Sequence, residues 1–173
     1  STEAINQAIY SLSVSMGDAG RIIISDIEHS AVRAAAERWF PGRVLFIAAK
    51  KALSGDYSEI AGFKATEYPL AAVVQAGNNE TGVLLPLAKL KSHLGESCPL
   101  IVDASQIVGK YDDFLEDFSL ADGVIVSPHK FYGPKGVGVL IWKQKLGVLQ
   151  PLVVGGGQEH GFRSGTENTP ALF

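Results

Sequence analysis

The sequence has 173 residues, of which 46% are apolar and 19% charged, and its formal net charge is −3. This composition predicts one folded domain with a substantial core, and it offers neither an apolar run near the ~20 residues of a membrane span nor a basic surface for nucleic acid or anionic lipid. The single cysteine, Cys98, excludes an internal disulfide and a multi-cysteine metal site, and a reducing, cytoplasmic setting is expected.

Apolar periodicity and turn residues predict the secondary structure in chain order. We predict helices over residues 2–16, 30–40 and 86 to about 94, and strands over residues 21–25, 44–48, 70–75, 100–102, 123–126 and 137–142. The polar stretch that follows the second strand has no pattern from which to predict its structure. Strands and helices therefore alternate along most of the chain.

The alternation of apolar strands with helices predicts the fold class. Strands that are apolar throughout are typical of a mostly parallel sheet with helices on both faces, so we predict an α/β fold. In such sheets ligands bind beyond the carboxyl ends of the strands. His29, Asn79, Asp103 and Lys130 each follow a predicted strand, and together they indicate a binding site at that edge.

Lys130 has the sequence surroundings of a reactive lysine. It follows the apolar run at residues 123–126 and precedes a turn rich in glycine and proline. Partial desolvation lowers the pKa of an amine and makes it a nucleophile toward an aldehyde. An aspartate at the tip of a neighbouring strand, here Asp103, suits the ring nitrogen of a pyridinium cofactor. Together the two residues indicate pyridoxal 5'-phosphate (PLP) as the cofactor.

Five separated motifs make this indication more specific. They are Glu28-His29-Ser-Ala-Val32, Asn78-Asn79-Glu-Thr-Gly82, Asp103-Ala-Ser-Gln106, Ser127-Pro-His-Lys130 with Gly133-Pro-Lys-Gly136, and the glycine-rich segment from Gly155 to Thr166. In this order they resemble the large domain of cysteine desulfurases, which belong to the class-V, fold-type-I group of PLP enzymes. The resemblance implies the PLP-dependent transferase fold and covers residues 1 to about 170.

The resemblance implies a role for each residue near the cofactor ring. Lys130 would hold PLP covalently and act as the base at the substrate Cα, and Asp103 would pair with the pyridine nitrogen. Gln106 would donate to the phenolic oxygen of the cofactor. His29 would stack on the ring and take part in proton transfer, and Asn79 would lie beside the phenolic oxygen and the substrate.

The resemblance also implies how the cofactor phosphate is bound. Thr2, at the start of the first helix, maps onto a phosphate-binding position, as do Ser127 and His129; free N–H groups at a helix start favour an anion. Thr166 matches a threonine that reaches the phosphate of the neighbouring subunit. The match at Thr166 therefore implies a homodimer whose active site is shared between the two subunits.

We expect residues 1–173 to be the PLP-binding large domain of a longer protein. The sequence begins within a predicted helix and ends at the start of another, so an N-terminal segment and a C-terminal small domain are expected to be absent. In the family, the cysteine nucleophile and the arginine that binds the substrate carboxylate lie beyond the position of Phe173. Cys98 precedes the lysine, and we predict that it is structural or incidental.

The resemblance implies a cysteine desulfurase that converts L-cysteine to L-alanine and passes sulfur to an acceptor protein, as in iron–sulfur cluster assembly. A class-V aminotransferase, a selenocysteine lyase and a non-catalytic fragment remain as alternatives. We predict no metal site, because the acidic cluster of Asp112, Asp113, Glu116 and Asp117 contains no histidine and is typical of a solvated helix face.

Overall fold

The computed structural model describes residues 1–63, 68–111 and 118–172. The strands are β1 (Arg21–Ser25), β2 (Val44–Ile47), β3 (Leu70–Gln75), β4 (Leu100–Asp103), β5 (Gly123–Val126) and β6 (Val139–Trp142). The helices are α1 (Thr2–Met16), α2 (Ser30–Trp39), α3 (Ala49–Ser54), α4 (Leu87–Leu94) and α5 (Thr169–Leu172). Short 3-10 turns cover Ser58–Gly62, Pro128–Lys130, Gln144–Leu146 and Glu159–Gly161.

Within the described residues the strands form one six-stranded sheet in the order β2-β1-β3-β4-β5-β6. All neighbouring pairs are parallel except β5 and β6, which are antiparallel. The predicted mostly parallel α/β fold is therefore confirmed. The antiparallel direction of β6 was outside what the apolar pattern could predict, because that pattern carries no information on strand direction.

Helices cover both faces of the sheet, as predicted. One buried cluster joins α1 and α2 to alternate strand residues such as Ile22, Ile24 and Val73. A second cluster on the opposite face joins α4 to the intervening residues, such as Val74 and Val102. This two-sided burial is the reason that the inner strands are apolar at successive positions.

The predicted element bounds differ from the observed ones at a few ends. Strand β4 extends by one residue to Asp103, which pairs in register with Gln75 of β3. Strand β6 begins only at Val139, because Gly136 turns the chain with a φ of 89°. The polar stretch after β2 contains α3, which Gly55 ends in the left-handed conformation.

The strand order places a topological switch point between β1 and β3. The chain leaves β1 outward to β2 and then returns to β3 on the other side of β1. At such a point the loops after the two strands diverge and leave a crevice at the carboxyl edge of the sheet. The residues that follow β1 and β3 therefore border this crevice.

Across residues 1–63, 68–111 and 118–172, no helix is both long and apolar enough to cross a membrane. The acidic cluster at residues 112, 113, 116 and 117 lies outside the described residues.

Candidate functional site

A cleft of about 510 Å³, open to solvent, lies at the carboxyl edge of the sheet. Its lining consists of Ser1, His29, Gln75, Gly77, Asn79, Asp103, Ser105, Gln106 and Lys130. These residues come from the start of α1, from the last residues of β3 and β4, and from the segments that follow β1, β3, β4 and β5. The structure thus brings together five of the residues selected from the sequence: His29, Asn79, Asp103, Gln106 and Lys130.

Lys130 reaches the cleft from a tight turn after β5. The turn is a 3-10 helix over Pro128–Lys130, closed by a hydrogen bond from the Lys130 N–H to the Ser127 carbonyl at 2.9 Å. Gly133 is required here, because a Cβ at this position would lie 2.7 Å from the Cβ of Pro128. The turn places the primary amine of Lys130 at the cleft, where the residue is exposed, so the partial desolvation expected from its sequence surroundings is not present in this structure.

Asp103 forms the buried, acidic part of the lining. Its residue is only 5% exposed, and its Oδ1 accepts a hydrogen bond from the Ser105 N–H at 3.0 Å. The buried hydroxyl of Ser105 has no hydrogen-bond partner among the described residues. Gln106 is half-buried beside them, and its Oε1 accepts from the Lys110 ammonium at 3.0 Å. A carboxylate, a free hydroxyl and an amide thus face one space.

His29 and Asn79 are exposed groups at the mouth of the cleft. His29 is the N-cap of α2, and its Nδ1 accepts a hydrogen bond from the Ala31 N–H at 3.1 Å. This bond occupies Nδ1 and leaves Nε2 to face a ligand. Asn79 lies in a turn that Asn78 stabilises by accepting, on its Oδ1, the N–H groups of Glu80 and Thr81.

The four residues predicted to bind the phosphate are not among the residues lining this cleft in the described chain. Thr2 is the first residue of α1, and its neighbour Ser1 does line the cleft. Ser127 is buried, with its Oγ 3.3 Å from Nδ1 of the exposed His129. Thr166 is exposed in the segment before α5. The phosphate roles of these residues stay predictions.

Sequence reasoning did not select several residues of the site. Ser1, Gln75, Gly77 and Ser105 line the cleft, and Glu28 lies buried next to His29 in the chain. A signal was present for Gln75, a polar residue at the end of an otherwise apolar strand. For Ser105 the signal was its place between Asp103 and Gln106, two residues that were selected.

Cys98 lies away from the cleft, in the loop that leads into the amino end of β4. Its side chain is buried, and burial raises the pKa of the thiol to about 11. A thiol with such a pKa is almost entirely protonated at neutral pH and is a poor nucleophile. This surrounding supports the prediction that Cys98 is structural or incidental.

Comparisons with known proteins give the same family for this arrangement. A family model described as Aminotransferase class-V matches residues 1–173. A cysteine desulfurase of Bradyrhizobium diazoefficiens is 37% identical over 99% of this chain and 44% of its own length. A selenocysteine lyase of Rattus norvegicus is 32% identical over 90% of this chain and 39% of its own length. The chain thus spans less than half of these relatives.

Solved structures agree with the fold. A NifS-like protein superimposes with a TM-score of 0.84 at 32% identity, over 99% of this chain and 48% of its own. A structure of SspA in complex with cysteine gives a TM-score of 0.84 at 30% identity, over 99% of this chain and 50% of its own. In both comparisons nearly the whole of this chain is covered.

Proposed function

We propose, because this chain belongs to the aminotransferase class-V family, that it forms the cofactor-binding domain of a PLP-dependent cysteine desulfurase. In the proposed reaction the Cβ–S bond of L-cysteine breaks, and the sulfur atom passes to an enzyme thiol, which becomes a persulfide. The carbon skeleton takes up a proton at Cβ and leaves as L-alanine. One observation carries the proposal: the amine of Lys130, the carboxylate of Asp103 and the ring of His29 meet in one cleft.

The residues of the cleft fit PLP by their chemistry. An aldehyde requires a primary amine, which Lys130 supplies, and a pyridinium nitrogen requires a buried anion, which Asp103 supplies. The phenolic oxygen of the cofactor requires donors, and Gln106 and Asn79 carry amide N–H groups at the cleft. The buried Ser105 hydroxyl, which has no partner among the described residues, provides a further donor.

Each residue then has a defined task in the proposed reaction. PLP supplies an electron sink, because its protonated ring accepts the electron pair left when the substrate Cα–H bond breaks. Asp103 keeps the ring nitrogen protonated through its negative charge. Lys130 would hold the cofactor through its amine, and Nζ of the same lysine would accept the Cα proton of the substrate. His29 presents Nε2 on the same side of the sheet and serves a second proton transfer.

The phosphate, the dimer and the acceptor complete the proposal. Thr2 stands in the first turn of α1, where unpaired N–H groups and the helix dipole favour a phosphate. Ser127 and His129 would supply two more donors, and Thr166 would reach the site of a second copy in a homodimer. We propose a sulfur-acceptor protein as the next partner, and iron–sulfur cluster assembly as the process that it serves.

A selenocysteine lyase is the second candidate, because a protein of that name is 32% identical over 90% of this chain. Such an enzyme uses the same cofactor chemistry and differs in the atom removed from Cβ. The chemistry of the cleft residues described above suits both reactions, so the distinction requires product analysis. Release of alanine with sulfide from cysteine supports the first candidate, alanine with selenide from selenocysteine alone supports the second, and keto-acid exchange supports an aminotransferase.

The proposal is tested by the visible absorption spectrum of the full gene product mixed with PLP. Wild-type protein is expected to develop the band of PLP bound to a lysine, and the Lys130→Ala variant is expected to lack it. Lys135→Ala is the matched control, since Lys135 is an exposed lysine in the same glycine-rich turn, and it should keep the band. A band of equal strength in wild-type and Lys130→Ala protein would refute the assignment.

A further inference from the structure

A buried carboxyl that the proposed reaction does not use lies beside the cleft. Glu28 is only 9% exposed, although it directly precedes the exposed His29. Its Oε1 accepts a hydrogen bond from the Ser25 hydroxyl at 2.5 Å, and its Oε2 accepts from the Gln75 N–H at 2.9 Å. Both carboxyl oxygens therefore have partners on two neighbouring strands, β1 and β3.

The carboxyl stands where backbone pairing between these strands has ended. Strands β1 and β3 are in register from Arg21 to Ile23 only, so the strands separate before they reach the cleft. On its other side Gln75 pairs in register with Asp103 of β4. Glu28 bridges the gap by accepting the Gln75 N–H, which would otherwise lack a β1 partner.

The same region links two turns that carry cleft residues. The carbonyl of Ile27 accepts the side-chain amides of Gln75 at 2.8 Å and of Asn78 at 3.2 Å. Asn78 in turn orders the turn that contains Asn79, through the hydrogen bonds on its Oδ1. The turn that ends at His29 and the turn that contains Asn79 are thus held by one hydrogen-bond network.

We infer that Glu28 is a positioning residue, which fixes His29 and Asn79 over the cleft by bridging the gap between β1 and β3. The inference deepens the proposed function and rests on it in one respect, since it takes the space under these two residues as the PLP site. The positioning itself follows from the hydrogen bonds and holds for whatever ligand the cleft binds.

The electrostatic surroundings make Glu28 a neutral bridge. Burial, reinforced by the charge of Asp103 on β4, raises the pKa of the Glu28 carboxyl to about 8. Tyr57 also faces it, and the pKa of that phenol is raised to about 12 by burial and by Glu28. No cation is paired with Glu28 among the described ion pairs. A neutral Glu28 leaves Asp103 as the negative group for the cofactor ring.

The test compares Glu28→Ala with Glu28→Gln in the full gene product. The glutamine keeps an acceptor for the Gln75 N–H and turns its amide NH₂ toward Ser25, whose hydroxyl oxygen accepts in place of donating. Alanine keeps neither bond. Asp122→Asn is the control for a general loss of stability, because Asp122 is a buried acid at the opposite edge of the sheet whose charge pairs with Lys91. Two quantities are measured: amide hydrogen exchange of residues 26–31 and 76–82 without cofactor, and the dissociation constant of PLP.

We expect Glu28→Ala to speed exchange in both turns at least tenfold and to weaken PLP binding at least tenfold. Glu28→Gln should stay within about threefold of wild type in both, and Asp122→Asn should leave the two turns and the PLP affinity unchanged. Exchange and affinity that stay within twofold of wild type in Glu28→Ala overturn the inference. Loosened turns in a protein that binds no PLP in any form refute the proposed function and leave the positioning role standing.

If Glu28→Ala does not fold, the inference is tested by comparing how the Gln75 amide signal depends on pH in wild type and in Glu28→Gln. The amide signal of Gln75 is followed by NMR, because its N–H bonds Oε2 of Glu28. In wild type it is expected to shift with a midpoint near pH 8 as the carboxyl ionises, and in Glu28→Gln this step should be absent. Identical profiles in the two proteins, with the glutamine variant folded, overturn the inference.

Discussion

The two edges of the sheet hold buried acids in opposite surroundings. At the amino edge, the carboxylate of Asp122 pairs with the ammonium groups of Lys91 at 3.8 Å and of Lys145, and accepts the Leu100 N–H at 2.9 Å. At the carboxyl edge, Glu28 has two hydrogen-bond donors and no paired cation among the described residues. Burial without a cation favours the neutral acid, whereas a buried cation requires an anion.

We call the amino edge the closed edge, because its charged groups pair with one another, and the carboxyl edge the open edge, because it borders the cleft. At the amino edge the charges satisfy one another within the protein, and Lys91 also donates to the Cys98 carbonyl at 2.8 Å. At the carboxyl edge the buried hydroxyl of Ser105, which lines the cleft, has no hydrogen-bond partner in the described part of the chain. Polar groups without partners are costly when buried, so the open edge is the one that gains from a ligand.

The largest expected effect comes from breaking the charge group at the closed edge. Asp122→Ala leaves the ammonium of Lys91, which is 7% exposed, without its anion, and we expect a loss of about 3 to 5 kcal/mol in the free energy of unfolding. Lys145→Ala removes a partner that is 56% exposed and should cost less than about 1 kcal/mol. Urea unfolding of the full gene product measures both. Equal losses of unfolding free energy in the two variants would show that the buried pair of Asp122 and Lys91 contributes no more to stability than the exposed Lys145.

The next effect is the pH dependence that Glu28 gives to stability. The unfolded carboxyl titrates near the ordinary value of 4.5, whereas the folded one keeps its proton to about pH 8. Between these values the folded state binds more protons, so the free energy of unfolding falls as pH rises, by about 4 to 5 kcal/mol from this group. Glu28→Gln should remove that fall.

Unfolding of wild type and Glu28→Gln at pH 5 and pH 8.5 checks this expectation. The quantity to compare is the difference in unfolding free energy between the two proteins, because the other titrating groups are common to both. We expect the free energy of unfolding of Glu28→Gln to increase relative to that of wild type as pH rises. A constant difference over this range would mean that Glu28 is ionised in the folded protein at pH 5, and the contrast with Asp122 would then disappear.

The sequence was sufficient to predict the elements whose signals are local. The strand of residues 70–75 is an apolar run with turn residues on both sides, and it forms as predicted. The six-residue helix α3 was not predicted, because a helix of this length has little stability of its own. It is held by contacts such as the ion pair between Lys51 and Glu59 at 2.9 Å, which a local pattern does not record.

The site residues also differ in whether the sequence was sufficient to predict them. His29, Asn79, Asp103 and Lys130 were selected because each follows a strand, and they share one cleft. The role of Glu28 was not predicted, although its motif was recognised. Its carboxyl is buried beside Gln75, which lies 47 residues further along the chain and donates its N–H to Oε2. Tertiary surroundings of this kind determine the protonation of an acid, and residue type alone does not.

The smallest effect comes from two glycines, one at each edge. A Cβ at Gly77, beside the cleft, would lie 2.8 Å from Cγ2 of Ile107, a branched methyl that cannot turn away independently. A Cβ at Gly123, at the closed edge, would lie 2.8 Å from the Cδ1 of Ile101, a side-chain end that can move. We expect Gly77→Ala to cost about 2 kcal/mol of unfolding free energy and Gly123→Ala about 1 kcal/mol.

The two variants should differ more clearly in binding than in stability. Gly77 lines the cleft, so the added methyl group and the displaced Ile107 reshape the space in which we place the PLP ring. Gly123 is a full strand length away, at the start of β5. PLP titration should therefore show weaker binding for Gly77→Ala and wild-type binding for Gly123→Ala. Equal PLP affinity in both variants would show that the cofactor does not bind beside Gly77. A ring bound in this cleft would contact the added methyl group and would bind more weakly.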